Sequence, residues 1–217
     1  MIIDFHVHTS RSDGLHSPKE IVNAAIKKGL DGLAITDHDI PSPSIKSRDI
    51  LIIPGIEVSS DLGHILVLGG SPSFRKGTPI VEILEYAREN ALLVAPAHPF
   101  FLHNSIGKAI LNYRFDAIEV LNGSMVPGFL NTYAIRVAEM LNIPMIAGSD
   151  AHCIDVLGSC YTILDINTHD VDDVIEAVKK GETRVAGSPN FLKNIKCSIK
   201  RLPISIRRFL LGYSPYK

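Results

Sequence analysis

The sequence predicts an α/β fold, with a (β/α) barrel and an open doubly wound sheet as the competing architectures. Two observations carry this prediction. Short apolar, β-rich runs alternate with helical patterns along most of the 217 residues, and histidines and carboxylates fall at the ends of those runs. Both architectures gather functional groups at C-terminal strand ends, but only a barrel brings every strand end to one mouth. A single domain of this length buries roughly 70–75% of its unfolded surface, so size alone demands neither a disulfide nor a structural metal.

The candidate strands, in order, are "MIIDFHV", "GLAIT", "ILIIPGIEV", "HILVLGG", "LLVAPA", "AIEVLN", "PMIAGS", "YTILDI" and "TRVAG". The first helix is expected over residues 17–29. Ser17 is its N-cap, Pro18 its first helical residue, Glu20 the partner in a capping box and Gly29 the stop. Thr78-Pro79 opens a second helix that reaches Asn90, residues 129–141 make a third, and residues 170–180 a fourth ending before Gly181. "SIGKAIL" suggests a shorter one. Residues 190–217 differ in composition, with seven Lys or Arg and no Asp or Glu. Three readings of this segment compete: a docked helix with a solvated basic face, a contact for a phosphate-rich ligand or a subunit, and membrane-surface binding.

With 22 basic residues against 23 acidic ones, no general polyanion-binding character follows from the overall charge. Cys153, Cys160 and Cys197 form an odd set without a C-x-x-C pair, which argues against a disulfide framework and fits a reducing cytosol. No secretory leader is evident and no run of about 18 apolar residues occurs, so a cytoplasmic protein without a transmembrane segment is expected.

His6 and His8, at i and i+2 on the first strand, place two imidazoles on one face. Alone they could be hydrogen-bonded core histidines. Other strand ends then add His38, Glu57, His98, Glu119, and the pair Asp150 and His152. Burying so many titratable groups unpartnered costs several kcal/mol apiece, whereas divalent cations satisfy neutral imidazoles and carboxylates together. The N and O donors suit Zn²⁺, Mn²⁺ or Fe²⁺.

In this order, "DFHVHTSRSDG", "ITDHD", "PGIEVS", "AHP" and "GSDAH" resemble the PHP (polymerase and histidinol phosphatase) domain, in particular its small stand-alone metal-dependent phosphoesterases. The resemblance runs from Ile2 to about Gly187. It implies a single-domain, distorted (β/α)7 barrel over residues 1–187, with residues 188–217 as a basic C-terminal extension docked on it. It also implies two or three divalent metals in the mouth and hydrolysis of a phosphoester. Carried over by motif position, His6, His8, Glu57 and Asp150 hold the first metal. Glu57 bridges to a second completed by His98 and Glu119, and Asp13, His38 and His152 hold a third. His64 resembles a position beside the substrate and is a candidate general acid or phosphate contact.

Arg11, in the turn after His8, could reach a phosphate through bidentate hydrogen bonds; His103 and Lys108 are further basic groups after His98. Asp37 is expected to orient a neighbour, and Asp4 and Asp39 to be turn or surface residues. The implied nucleophile is a metal-activated hydroxide, so no Ser or Cys nucleophile is required. A small phosphorylated or nucleotide substrate is preferred, since no aromatic stacking platform is evident. The alternatives are a nuclease acting on DNA or RNA ends through the basic tail, an amidohydrolase-like C–N hydrolase, and a non-catalytic metal-binding module. The last predicts missing ligands, and none is missing. Oligomeric state is not encoded.

Overall fold

The computed structural model describes residues 1–125 and 128–210, with side chains described as far as residue 202. Nine strands and five α-helices follow in the order β1 (Ile2–Val7), α1 (Pro18–Lys27), β2 (Gly32–Ile35), β3 (Leu51–Ser59), β4 (His64–Leu68), α2 (Ile80–Glu89), β5 (Leu93–Pro96), β6 (Ile118–Asn122), α3 (Phe129–Leu141), β7 (Met145–Gly148), β8 (Cys160–Leu164), α4 (Val171–Lys179), β9 (Thr183–Gly187) and α5 (Phe191–Leu210). A 3-10 segment, Gly107–Asn112, stands where a short helix was expected.

Local chemistry explains the helix ends. Ser17 and Glu20 form the expected reciprocal capping box at the start of α1. Asp170 caps α4 by accepting from the Asp172 N–H, and α2, which lacks a cap of its own, has its Ile80 N–H bound by Asp61 at 2.9 Å. Asn142 ends α3 in the left-handed conformation.

Seven strands form one sheet in the order β5-β4-β3-β2-β1-β8-β9, and β6 and β7 form a second, parallel pair. β7 lies beside β1, bridged through Val7 and Ala151, so the two sheets curl around a common interior as a half-barrel. The parallel alternation expected from the strand–helix pattern holds only in part. β1-β2-β3 run parallel, whereas β3-β4, β4-β5, β1-β8 and β8-β9 are antiparallel. The reason for the first reversal is length: residues 60–63 are too few to carry a chain back across the sheet for a parallel return.

β1 is buried on both faces. Ile3 and Phe5 enter a core cluster with Ile53, Leu66, Leu68 and Ile146, while Asp4 and His6 face the other way. Close approach of β7 to β1 requires Gly148, since a Cβ there would collide with the Cβ and backbone nitrogen of His6. Asp4, expected at a turn or surface, is fully buried. It accepts hydrogen bonds from the Ser149 N–H at 2.8 Å, the Gly158 N–H at 2.9 Å and the Ser149 hydroxyl, which ties β1 to the end of β7. Burial pushes its pKa up to about 6.

Helix α5 packs on this body. Asn194 donates to the Gly123 carbonyl at 2.7 Å, Lys200 pairs with Asp155, and Cys197 forms a disulfide with Cys153. The cysteine reading is corrected here: a pair 44 residues apart carries no spacing signature, and only the docking of α5 brings the two together. Cys160 remains a buried free thiol.

Asp4→Ala leaves buried Ser149 and Gly158 N–H groups without an acceptor. It is expected to cost about 2–4 kcal/mol, read in thermal unfolding as a fall of roughly 5–15 °C.

Candidate metal centre

The site is assembled from the ends of separate strands around one carboxylate. Glu57, in β3, is fully buried and faces five imidazoles. Its Oε2 lies 2.9 Å from His38 Nδ1, 3.2 Å from His6 Nε2 and 3.3 Å from His8 Nε2. Its Oε1 lies 2.9 Å from His64 Nδ1 and 3.1 Å from His98 Nε2. Asp150 Oδ1 stands 3.1 Å from His8 Nε2 and 3.7 Å from His6 Nε2, and Asp13 Oδ2 stands 3.2 Å from His152 Nε2.

Backbone geometry is spent on these placements. His98 and Asp150 adopt positive φ of 30° and 50°, a conformation unusual for residues with a Cβ. The turn after β1 is tied down by Asp37, which accepts from the Thr9 N–H, the Thr9 hydroxyl and the Ser12 hydroxyl, all at 2.7 Å. Gly14 closes that turn where a Cβ would press on the His8 carbonyl oxygen at 2.7 Å.

Charge is balanced across the cluster. Burial disfavours a protonated His8, but hydrogen bonds to Asp150 and Glu57 outweigh it and lift its pKa to about 10. His6 is raised in the same way: burial opposes the charge, and Glu119 and Glu57 overcome it. Burial would raise Glu57 and Asp150, yet the surrounding imidazoles hold both below the ordinary carboxylate range. The pocket thus favours positive charge between its carboxylates, which a divalent cation supplies more compactly than several protons.

The donors fit such ions. His6 Nε2 and His8 Nε2 face each other at 3.0 Å, a separation at which two neutral acceptors repel unless a proton or cation lies at them. Three groups of donor atoms lie within 4.8 Å of one another: His6, His8 and Asp150; His38, Glu57 and His64; and His8, Asp13, His38 and His152. The N and O composition matches borderline divalent metals.

Two residues stand elsewhere than expected. Glu119 lies behind His6, with its Oε1 at 2.9 Å from His6 Nδ1 and its Oε2 accepting from the His98 N–H at 2.6 Å and the Asn122 amide at 3.0 Å. His64 and His98 are the imidazoles beside Glu57 Oε1. Arg11 is exposed and donates to the Pro41 carbonyl at 2.7 Å, outside the cleft. The guanidinium that reaches the cluster is Arg201 of α5, paired with Asp13. The sequence marks Arg201 only as one of the basic residues of the 190–217 segment; its pairing with Asp13, 188 residues away, carries no local signal. Asn122, also missed, bridges Glu119 and Asp150; a polar residue ending the run "AIEVLN" was the available signal.

The cluster opens into a cleft of about 160 Å³ lined by His38, His64, His98, Asp150 and His152, with Phe101, His103, Asn122 and Ser124 at its sides. The PHP-associated family model matches residues 128–183, the stretch that carries β7, Asp150 and His152. A two-domain Bacteroides vulgatus protein containing a predicted PHP-like metal-dependent phosphoesterase shares the fold, with a TM-score of 0.70 at 21% identity over 87% of this chain and 65% of its own. These likenesses support a PHP-domain protein. An uncharacterized Methanocaldococcus jannaschii protein is 28% identical to this chain over 211 residues, 89% of the chain and 86% of the relative. The 3',5'-nucleoside bisphosphate phosphatase of Chromobacterium violaceum is 35% identical over 81 residues, 33% of this chain and 28% of that enzyme. A Haemophilus influenzae 5'-3' exoribonuclease also matches, the chain covering 52% of its length.

Titrating metal-free protein with Mn²⁺ or Zn²⁺ is expected to raise its unfolding temperature. Saturation at about 100 times the dissociation constant contributes about 2.7 kcal/mol per site. Glu57→Gln should remove most of that shift, and a shift of wild-type size in this variant would refute the shared-carboxylate arrangement.

Proposed function

We propose that this PHP protein is a phosphoesterase that uses two or three divalent metals, Zn, Mn or Fe, to hydrolyse a phosphate ester of a small metabolite or nucleotide. The observation that carries the reading is the convergence of five imidazoles on Glu57 at the base of a cleft, flanked by Asp150 and Asp13. His6, His8, Asp150 and Glu57 would hold one ion, and Glu57, His64 and His98 a second. Asp13, His38 and His152 would hold a third. In this assignment Glu119 is a positioning residue, because both its oxygens are engaged by N–H donors and it fixes the ring of His6.

Bound divalent ions supply a water acidified toward neutral pH and positive charge against the phosphoryl oxygens. The chain does the rest. Asn122 and Glu119 hold Asp150 and His6 in register, so the donor set is formed before substrate arrives. Arg201, at the rim, places a guanidinium where it can turn from Asp13 to a phosphoryl oxygen. His103 lines the cleft outside the ligand groups and is placed to hold a proton for the departing oxygen. Phe101 walls the cleft on the same side.

A cleft of this size accommodates a terminal phosphoryl group. A volume of about 160 Å³ falls below the range of pockets that enclose a drug-sized ligand. A nuclease acting on strand ends is the second reading, favoured by the likeness to the exoribonuclease.

The test is a screen of phosphomonoesters, diesters, 3',5'-bisphosphates and short oligonucleotides with Mn²⁺, Zn²⁺ or Fe²⁺. Hydrolysis by wild type and its loss by at least about 100-fold in Asp150→Ala is the expected result. Unchanged activity in that variant would overturn the reading. His64→Gln should lower bound metal measured by elemental analysis, whereas Glu119→Gln should retain it with weaker affinity, by about 10–100-fold. For Arg201→Ala, KM is expected to rise by about 10–100-fold with a smaller change in kcat, as fits a charged hydrogen bond to substrate.

A further inference from the structure

Helix α5 divides into three faces. Asn194, Cys197 and Arg201, spaced three and four residues apart, point to the body and make its contacts there. Leu192, Ile195, Ile199 and Leu202 repeat at the same spacing on another face and are 76%, 41%, 60% and 56% exposed. Phe191, beside them, is 56% exposed. Lys193, Lys196 and Lys200 form a third stripe, and no acidic residue occurs between residues 190 and 217. In the sequence the apolar spacing continues with Ile206 and Phe209, next to Arg207 and Arg208.

We infer that α5 docks this protein on an anionic lipid surface, lying in the plane of the interface. The apolar stripe enters the boundary between headgroups and acyl chains, and the lysine stripe lies at the level of the anionic headgroups. Among the described residues no helix is long and apolar enough to cross a membrane, so the mode is attachment at the surface. Charge and shape select this occupant. A nucleic acid would use the lysines but leave four aliphatic side chains in water, and among the described residues of α5 base stacking would find only Phe191. A second copy of α5 would cover the stripe while setting lysines against lysines, with no carboxylate on the helix to offset them. The lipid surface satisfies both stripes together. The stripes that meet lipid include none of the residues assigned to the metal centre.

Flotation of the full chain, disulfide intact, with extruded vesicles tests this. Vesicles of equimolar phosphatidylcholine and phosphatidylglycerol are expected to carry the protein upward, and pure phosphatidylcholine vesicles to carry at least about tenfold less. Ile195→Glu combined with Ile199→Glu should reduce partitioning on the order of 100-fold while thermal unfolding stays unchanged. Lys193→Glu with Lys196→Glu should remove the preference for anionic vesicles without touching the apolar stripe. Failure of wild type to float, or undiminished flotation of the Ile195→Glu/Ile199→Glu protein, would overturn the inference. So would light scattering that finds a dimer which this same variant dissolves, or wild-type binding to single-stranded oligonucleotide that it abolishes.

Discussion

A single buried carboxylate facing five imidazoles is the constraint on which the rest of the structure depends. Glu57 has no exposure to water, and its oxygens meet ring nitrogens carried by β1, β4 and the loops after β1, β2 and β5. An isolated buried carboxylate would be neutralised by its surroundings; here the imidazoles keep it ionised. The sheet is therefore held to a narrow geometry, because a strand displaced by one residue would turn its imidazole to the opposite face. The mixed strand directions follow from the same demand. β3 must place Glu57 mid-strand, and its antiparallel partner β4 must begin at His64, paired with Ser59, for the two side chains to meet.

Support for the imidazoles around Glu57 comes from carboxylates set back from it. Asp4 fastens β1 to the start of the loop holding Asp150, Asp37 fastens the turn holding Asp13, and Glu119 fastens His6. Each is an acceptor with most of its lone pairs occupied, which is why each can be buried. Gly148 allows the backbones of β1 and β7 to come close enough for His6 and Asp150 to share one space.

The sequence made most of the donors legible because they interrupt apolar runs at strand ends, where a polar side chain needs a reason. The ends of α1 were equally plain, since Ser17, Pro18, Glu20 and Gly29 each carry a local signal. What escaped was whatever depends on long-range placement. That His64 sits against Glu57 and Glu119 against the far side of His6 depends on which strands meet, which no local pattern records. Asp4 read as a turn residue because its acceptors' partners, Ser149 and Gly158, are far along the chain. Strand direction escaped for the same reason: hydrophobic pattern reports burial and period, and these are alike in parallel and antiparallel strands of a doubly covered sheet.

The basic segment shows how the tail and the site become one object. Cys197 is bonded to Cys153, the residue that follows His152, and Arg201 is paired with Asp13, which contacts His152 from the other side. One turn of α5 separates these two links. The helix is therefore fixed to the rim on both sides of His152, and its body face cannot shift without disturbing that imidazole and Asp13 together. Such anchoring explains why a helix can leave an apolar stripe in water and still hold its place: the face that makes its contacts is the one with Asn194, Cys197 and Arg201, and the stripe is left for another surface.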